Sequence, residues 1–100
     1  MDEYIIHIFN ETSEMLDIKI FQNPPQSPSP SDIAWMILTS KPDSPVITFE
    51  VPADIAHHDF HVIVADHPDA SKPTVPTMVL INQYYRITGS KGAGYELIGA

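Results

Sequence analysis

The sequence predicts an all-β fold: a single antiparallel β-sandwich of seven or eight strands with Greek-key-like crossovers. Short apolar stretches recur with a period of two residues, each ended by Pro, Ser, Asp or Asn. No stretch sustains the 3.6-residue apolar period of an amphipathic helix. The strands follow one another at the spacing of sandwich folds, and 100 residues suit one domain, spanning 1–100, with one core.

Tyr4–Phe9 alternates, with Tyr4, Ile6 and Ile8 on one face. Leu16–Phe21 alternates more cleanly, placing Leu16, Ile18 and Ile20 inward and Asp17 and Lys19 toward water. Asn10–Glu14 between them reads as a turn, so the two are expected to form a hairpin. Four prolines in 23–32 exclude a helix or an interior strand there. Ile33–Thr39 is continuously apolar and reads as a central strand covered on both faces.

Lys41–Pro45 is a turn and Val46–Val51 a strand stopped by Pro52. Asp54–Asp59 reads as one irregular helical turn leading into the strand Phe60–Ala65. A second proline-bearing loop covers 66–76. Thr77–Asn82, Tyr84–Thr88 and Tyr95–Ile98 are the remaining strands. The two proline-bearing loops are expected to cross between sheets. All four glycines fall in Gly89–Gly99, so the last hairpin is the segment expected to use positive φ and to move or adapt to a partner. Trp35, Ile18, Ile20, Ile37, Phe49, Val62, Val64 and Leu80 are the expected core.

Composition narrows the function. Thirteen acidic against five basic residues give a net charge of -8, and the basic residues are scattered singly. Counterion release needs clustered cations, so no nucleic-acid partner is expected. The acidic balance predicts solubility and argues against capture by an anionic membrane, while leaving a neutral lipid or a glycan as a possible ligand. No apolar run is long enough for a transmembrane segment. The acidic opening Met1–Tyr4 carries no secretory signal in this chain, which implies a cytoplasmic protein or export by a non-Sec route. Without cysteine there is no disulfide frame, thiolate metal site or cysteine nucleophile. No glycine-rich phosphate loop is possible before Gly89, and no cofactor is expected.

Three groups of residues carry possible chemistry. His57, Asp59 and His61 lie on one face of an extended chain, and imidazole and carboxylate donors two residues apart suit Zn²⁺, Cu²⁺ or Ni²⁺. The cluster continues to His67, and its titration near pH ~6.5 would offset the acidic surface and favour association in mild acid. Tyr84, Tyr85 and Tyr95 are candidate ligand or partner contacts. Adjacent tyrosines on a strand face opposite ways, so one of the first two is exposed. Thr77–Asn82 is uncharged, β-prone and free of proline; at an edge it would pair with another subunit, and in a centre it would be covered. No serine sits in a nucleophile elbow, and no carboxylate pair shows signs of burial, so no catalytic residue is expected.

Phe9–Ser13, Ile20-Phe21-Gln22-Asn23-Pro24, Ile33-Ala34-Trp35-Met36 and Ile47-Thr48-Phe49-Glu50 follow one another in an order that resembles small bacterial proteins akin to the rhizosphere-expressed protein of rhizobia. The resemblance covers about residues 8–51 and implies a soluble, non-enzymatic, β-rich protein. More distantly, size, acidity and strand density resemble aegerolysins, which implies a lipid-binding sandwich. The favoured expectation is therefore a non-catalytic structural or interaction module, a bacterial homo-oligomer that self-associates through sheet edges. The alternatives are a lipid- or carbohydrate-binding sandwich using exposed tyrosines, and a metal-binding protein using His57–His67.

Overall fold

The computed structural model of the chain describes residues 3–22, 35–56, 59–69 and 73–99. The strands are β1 (Ile5–Asn10), β2 (Leu16–Phe21), β3 (Met36–Ser40), β4 (Val46–Glu50), β5 (Phe60–Asp66), β6 (Thr77–Val79), β7 (Tyr84–Ser90) and β8 (Gly94–Gly99), with one 3₁₀ turn at Ala53–Ile55. They form two four-stranded sheets, in order β4-β1-β7-β8 (sheet A) and β3-β2-β5-β6 (sheet B). No α-helix occurs among the described residues, as the missing 3.6-residue period requires.

Alternation sets which side chains point inward. On β1, Ile6 and Ile8 are buried; on β2, Leu16, Ile18 and Ile20 are fully so. These join Phe49, Val51 and Ile87 from sheet A, and Phe60, Val62, Val64 and Val79 from sheet B, in one apolar cluster that both sheets share. Each such side chain contributes about 1.5–3 kcal/mol by leaving water. Trp35 packs on the margin of this cluster, tilted against Phe60 at 5.6 Å between ring centroids.

Four expectations are corrected. β1 and β2 are not a hairpin, because β1 pairs with β4 and β7 in sheet A while β2 pairs with β3 and β5 in sheet B. The two proline-bearing loops join neighbours within sheet B, β2 to β3 and β5 to β6. Four shorter connections, after β1, β3, β4 and β6, pass from one sheet to the other. Packed sheets lie only about 10 Å apart, a span that four extended residues cover. The strand with both faces covered is β5, five of whose last five residues are buried, whereas β3 lies at an edge with Ile37 61% exposed. Leu80 follows β6 and is also exposed, so neither Ile37 nor Leu80 belongs to the core. Residues 33 and 34 of the expected strand lie outside the described residues.

One pairing departs from the antiparallel pattern: β1 runs parallel to β7, from His7 opposite Tyr84 to Asn10 opposite Ile87. Asn82 starts this ladder from a left-handed conformation (φ 62°), which asparagine tolerates better than most residues. Its N–H donates to the Ile5 carbonyl at 2.7 Å, and its Oδ1 accepts from the Ile5 N–H at 3.0 Å. The β7–β8 hairpin uses positive φ at Gly89, Gly92 and Gly94, as the glycine distribution predicts. At Gly89 a Cβ would lie 2.2 Å from the Gly94 carbonyl oxygen, so the close strand approach requires glycine.

Asn10 ties the two sheets together. Its buried Nδ2 donates to the Glu14 carbonyl and to Ser40 Oγ, both at 3.0 Å, and Ser40 ends β3 in sheet B. Its Oδ1 accepts from the Thr12 N–H at 2.9 Å and the Thr12 hydroxyl at 2.6 Å, so the amide uses all its bonding positions. Asn10→Ala should lower unfolding free energy by about 2–4 kcal/mol, because Thr12 and Ser40 lose their partner inside the protein. Glu11→Ala removes only the exposed pair with Arg86 (3.2 Å) and should cost less than about 1 kcal/mol. Urea denaturation of both variants measures the difference.

Candidate functional site

The four edge strands are β4 and β8 in sheet A and β3 and β6 in sheet B. They differ in how they are protected. β6 is three residues long, follows Pro76, and is succeeded by Leu80, whose N–H donates to the Tyr85 hydroxyl oxygen at 2.6 Å. Shortness and a neighbouring proline are the usual ways of blunting an edge. Thr77–Asn82 is thus an edge, paired only over Thr77–Val79. β8 is bounded by Gly94 and Gly99 and carries Glu96. β3 and β4 are each five residues long with no proline or cation within them, although Pro45 precedes β4 as Pro76 precedes β6, and their only charge is Glu50 at the end of β4.

Hydrogen-bond parity identifies the free backbone groups on these two strands. Val51 N–H donates to the Tyr4 carbonyl (2.7 Å) and Asn10 N–H to the Pro45 carbonyl (2.9 Å), so odd-numbered residues face β1. Val46, Thr48 and Glu50 therefore turn their N–H and C=O groups to the open edge. On β2, His67 N–H donates to the Met15 carbonyl at 3.2 Å, which places odd residues toward β5 and even ones toward β3. In register, Met36, Leu38 and Ser40 face β2, and Ile37 and Thr39 face outward. Neither set of outward groups has a partner among the described residues.

The two edges lie on the same side of the molecule, joined by the Lys41–Ser44 turn, where Ser44 N–H donates to the Lys41 carbonyl at 3.0 Å. An open cleft of about 550 Å³ separates them, with Leu38, Thr39, Val46, Ile47 and Thr48 along its length and Lys41 and Asp43 at the turn end. Leu38 and Ile47 are half-buried at the margin of the core, while Ile37 and Val46 are each 61% exposed. At the cleft, Leu38 and Ile47 bring the margin of the shared interior to solvent. The sequence reading missed β3 and β4 as edges; the only signal was the short Lys41–Pro45 turn, which is compatible with either sheet order.

The structure does not bring the three tyrosines together. Tyr84 lies on the outer face of sheet A, 61% exposed, stacked on His7 with centroids 4.3 Å apart and planes 12° apart. Tyr85 and Tyr95 turn inward and pack against the core. The Tyr95 hydroxyl donates to Asp66 Oδ1, linking β8 of sheet A to the end of β5 in sheet B. Beside it, His67 Nδ1 and Asp17 Oδ1 meet at 2.6 Å and clamp the same end of β5 to β2.

Of the expected metal ligands, His57 lies outside the described residues, Asp59 is exposed, and His61 is half-buried with an unpartnered Nδ1. No group of three metal-binding side chains forms among the described residues. No helix of the described structure is long and apolar enough to cross a membrane. No family model, curated protein or solved structure matches this chain.

Burial, followed by the hydrogen bond and negative charge of Asp66 and then the charge of Glu14, raises the Tyr95 phenol well above its ordinary value near 10. A pKa raised by folding stabilises the native state below the unfolded value, and that stability is lost as pH climbs from the unfolded toward the folded value. Stability should therefore carry no Tyr95 contribution to its pH slope at neutrality and should fall with pH above about 10. Tyr95→Phe should flatten that alkaline decline, measured by thermal unfolding from pH 8 to 11.

Proposed function

We propose that this protein is a non-catalytic structural or interaction module, a β-sandwich that self-associates through its sheet edges, with β3 and β4 as the contact. The observation that carries this reading is the pair of unprotected edges on one side of the molecule. Their outward backbone groups lack partners among the described residues, and ten strand positions hold a single charge. Natural monomers blunt such edges with lysine, proline, bulges or cover, because an open ladder recruits another strand. The three-residue β6 shows such blunting on the opposite side. The exposed Ile37 and Val46 add apolar area beside the ladder positions. The remaining surface, at a net charge of -8, repels other copies and directs contact to the neutral edges.

A second reading, a lipid or carbohydrate binder, rests on Tyr84. Its stack with His7 offers a flat aromatic surface on the outer face of sheet A. Tyr85 and Tyr95 have their hydroxyls engaged within the fold, so Tyr84 is the tyrosine to test.

Sedimentation velocity over a wide concentration range should show reversible association, and a strict monomer throughout removes the favoured reading. Ile37→Lys combined with Thr48→Lys should weaken association by about 100-fold or more, since opposed like charges in a contact cost several kcal/mol. Glu96→Lys on β8 should leave it within a few-fold. Neutral liposome or glycan binding that is lost in Tyr84→Ala and retained in the lysine variants would instead favour the second reading.

A further inference from the structure

Resting on the self-association proposed above, we infer that the partner is a second copy bound about one two-fold axis that extends both sheets at once. The axis stands perpendicular to the sheets, passing by Thr48 on β4 and Ile37 on β3. Hydrogen-bond parity dictates the register. Val46, Thr48 and Glu50 present outward groups, so antiparallel self-pairing of β4 puts Thr48 opposite Thr48 and Val46 opposite Glu50 of the other copy. Ile37 and Thr39 present the outward groups of β3, and self-pairing centred on Ile37 puts Ile37 opposite Ile37 of the other copy.

These two centres lie at the same level. Ile37 stands four residues before Lys41 and Thr48 four residues after Ser44, the two ends of the bridge that joins the strands. A two-fold axis normal to a sheet also leaves the second sheet on its own side. One operator therefore pairs both edges, and such an isologous contact closes at a dimer. The pairing forms about ten backbone hydrogen bonds, the number typical of a specific interface.

The cleft is incomplete without the partner. Leu38 and Ile47, half-buried at its margin, each lie one residue from the axis, so the second copy covers them and completes a continuous interior. Electrostatics permits the approach. Glu50 lies two residues from the axis, so the two Glu50 side chains stand about 13 Å apart, beyond the screening length of about 8 Å at physiological salt.

Cysteine placement tests this geometry without background, because the chain has no cysteine. Thr48→Cys puts two thiols opposite each other at a Cα separation of about 5.5 Å, inside the disulfide range. Mild oxidation should convert most of this variant to covalent dimer, while Glu50→Cys and Glu96→Cys should stay largely monomeric under denaturing electrophoresis. Urea denaturation of reduced Thr48→Cys, expected to match the parent, confirms that the variant is folded. Sedimentation that shows association without a Thr48→Cys crosslink, or growth past the dimer, overturns this arrangement and leaves self-association standing. A strict monomer overturns both.

Discussion

The architecture turns on the Asn10 side-chain amide. It stands where the chain leaves sheet A, and Ser40, the last residue of β3 in sheet B, accepts one of its hydrogen bonds. The Thr12 and Glu14 contacts fold the intervening five residues into a compact corner. A buried amide with every bonding position used is costly to rearrange, because each lost partner leaves a polar atom away from water. The corner thus holds β1 and β2 in different sheets. From that separation follow the inward direction of Ile6, Ile8, Ile18 and Ile20 and the single cluster they share. At the same end of sheet B, where Asp66 lies level with Leu16 and Ser40, the Tyr95–Asp66 contact makes a second tie between sheets, again from a polar side chain at a strand end.

Polar ties at strand ends and apolar packing between them divide the labour. The packing supplies most of the stability but is tolerant of small slips, since one methyl group resembles another. Hydrogen-bonded ties have direction and reach, so they set which residues lie level across the gap. The cleft opens past the Asn10–Ser40 tie: Leu38 and Ile47 line it, with no hydrogen bond joining β3 to β4 beyond the turn among the described residues.

Period-two alternation was sufficient to read β2 from Leu16 to Phe21 and to place Asp17 and Lys19 outward. The opposite orientations of Tyr84 and Tyr85 follow from the same alternation. What alternation lacks is any record of a strand's neighbours. Ile37 sits in an apolar run that reads as central, yet it is exposed because β3 has only β2 beside it. Leu80 is apolar and follows an apolar strand, but β6 ends one residue earlier. Asn10–Glu14 has the residues of a hairpin turn and makes an inter-sheet corner, since the same local hydrogen bonds serve both. The β3 and β4 edges were illegible for this reason: being an edge belongs to the sheet order, not to the strand.

The parallel pairing of β1 with β7 has a consequence for how the chain is made. The partners in this ladder, residues 7–10 and 84–87, are 77 residues apart in sequence. A ribosome delivers β1 long before β7. Sheet B has all four of its strands once Val79 has emerged, whereas sheet A has only the β1–β4 pair until Tyr84 follows. The apolar inner face of sheet B therefore waits for its full cover until β7 and β8 have followed. Contacts at such long sequence separation also slow folding, because the chain must close its largest loop before the ladder rewards it. During that interval β1 is itself an open edge, and a net charge of -8 works against contact between unfinished copies.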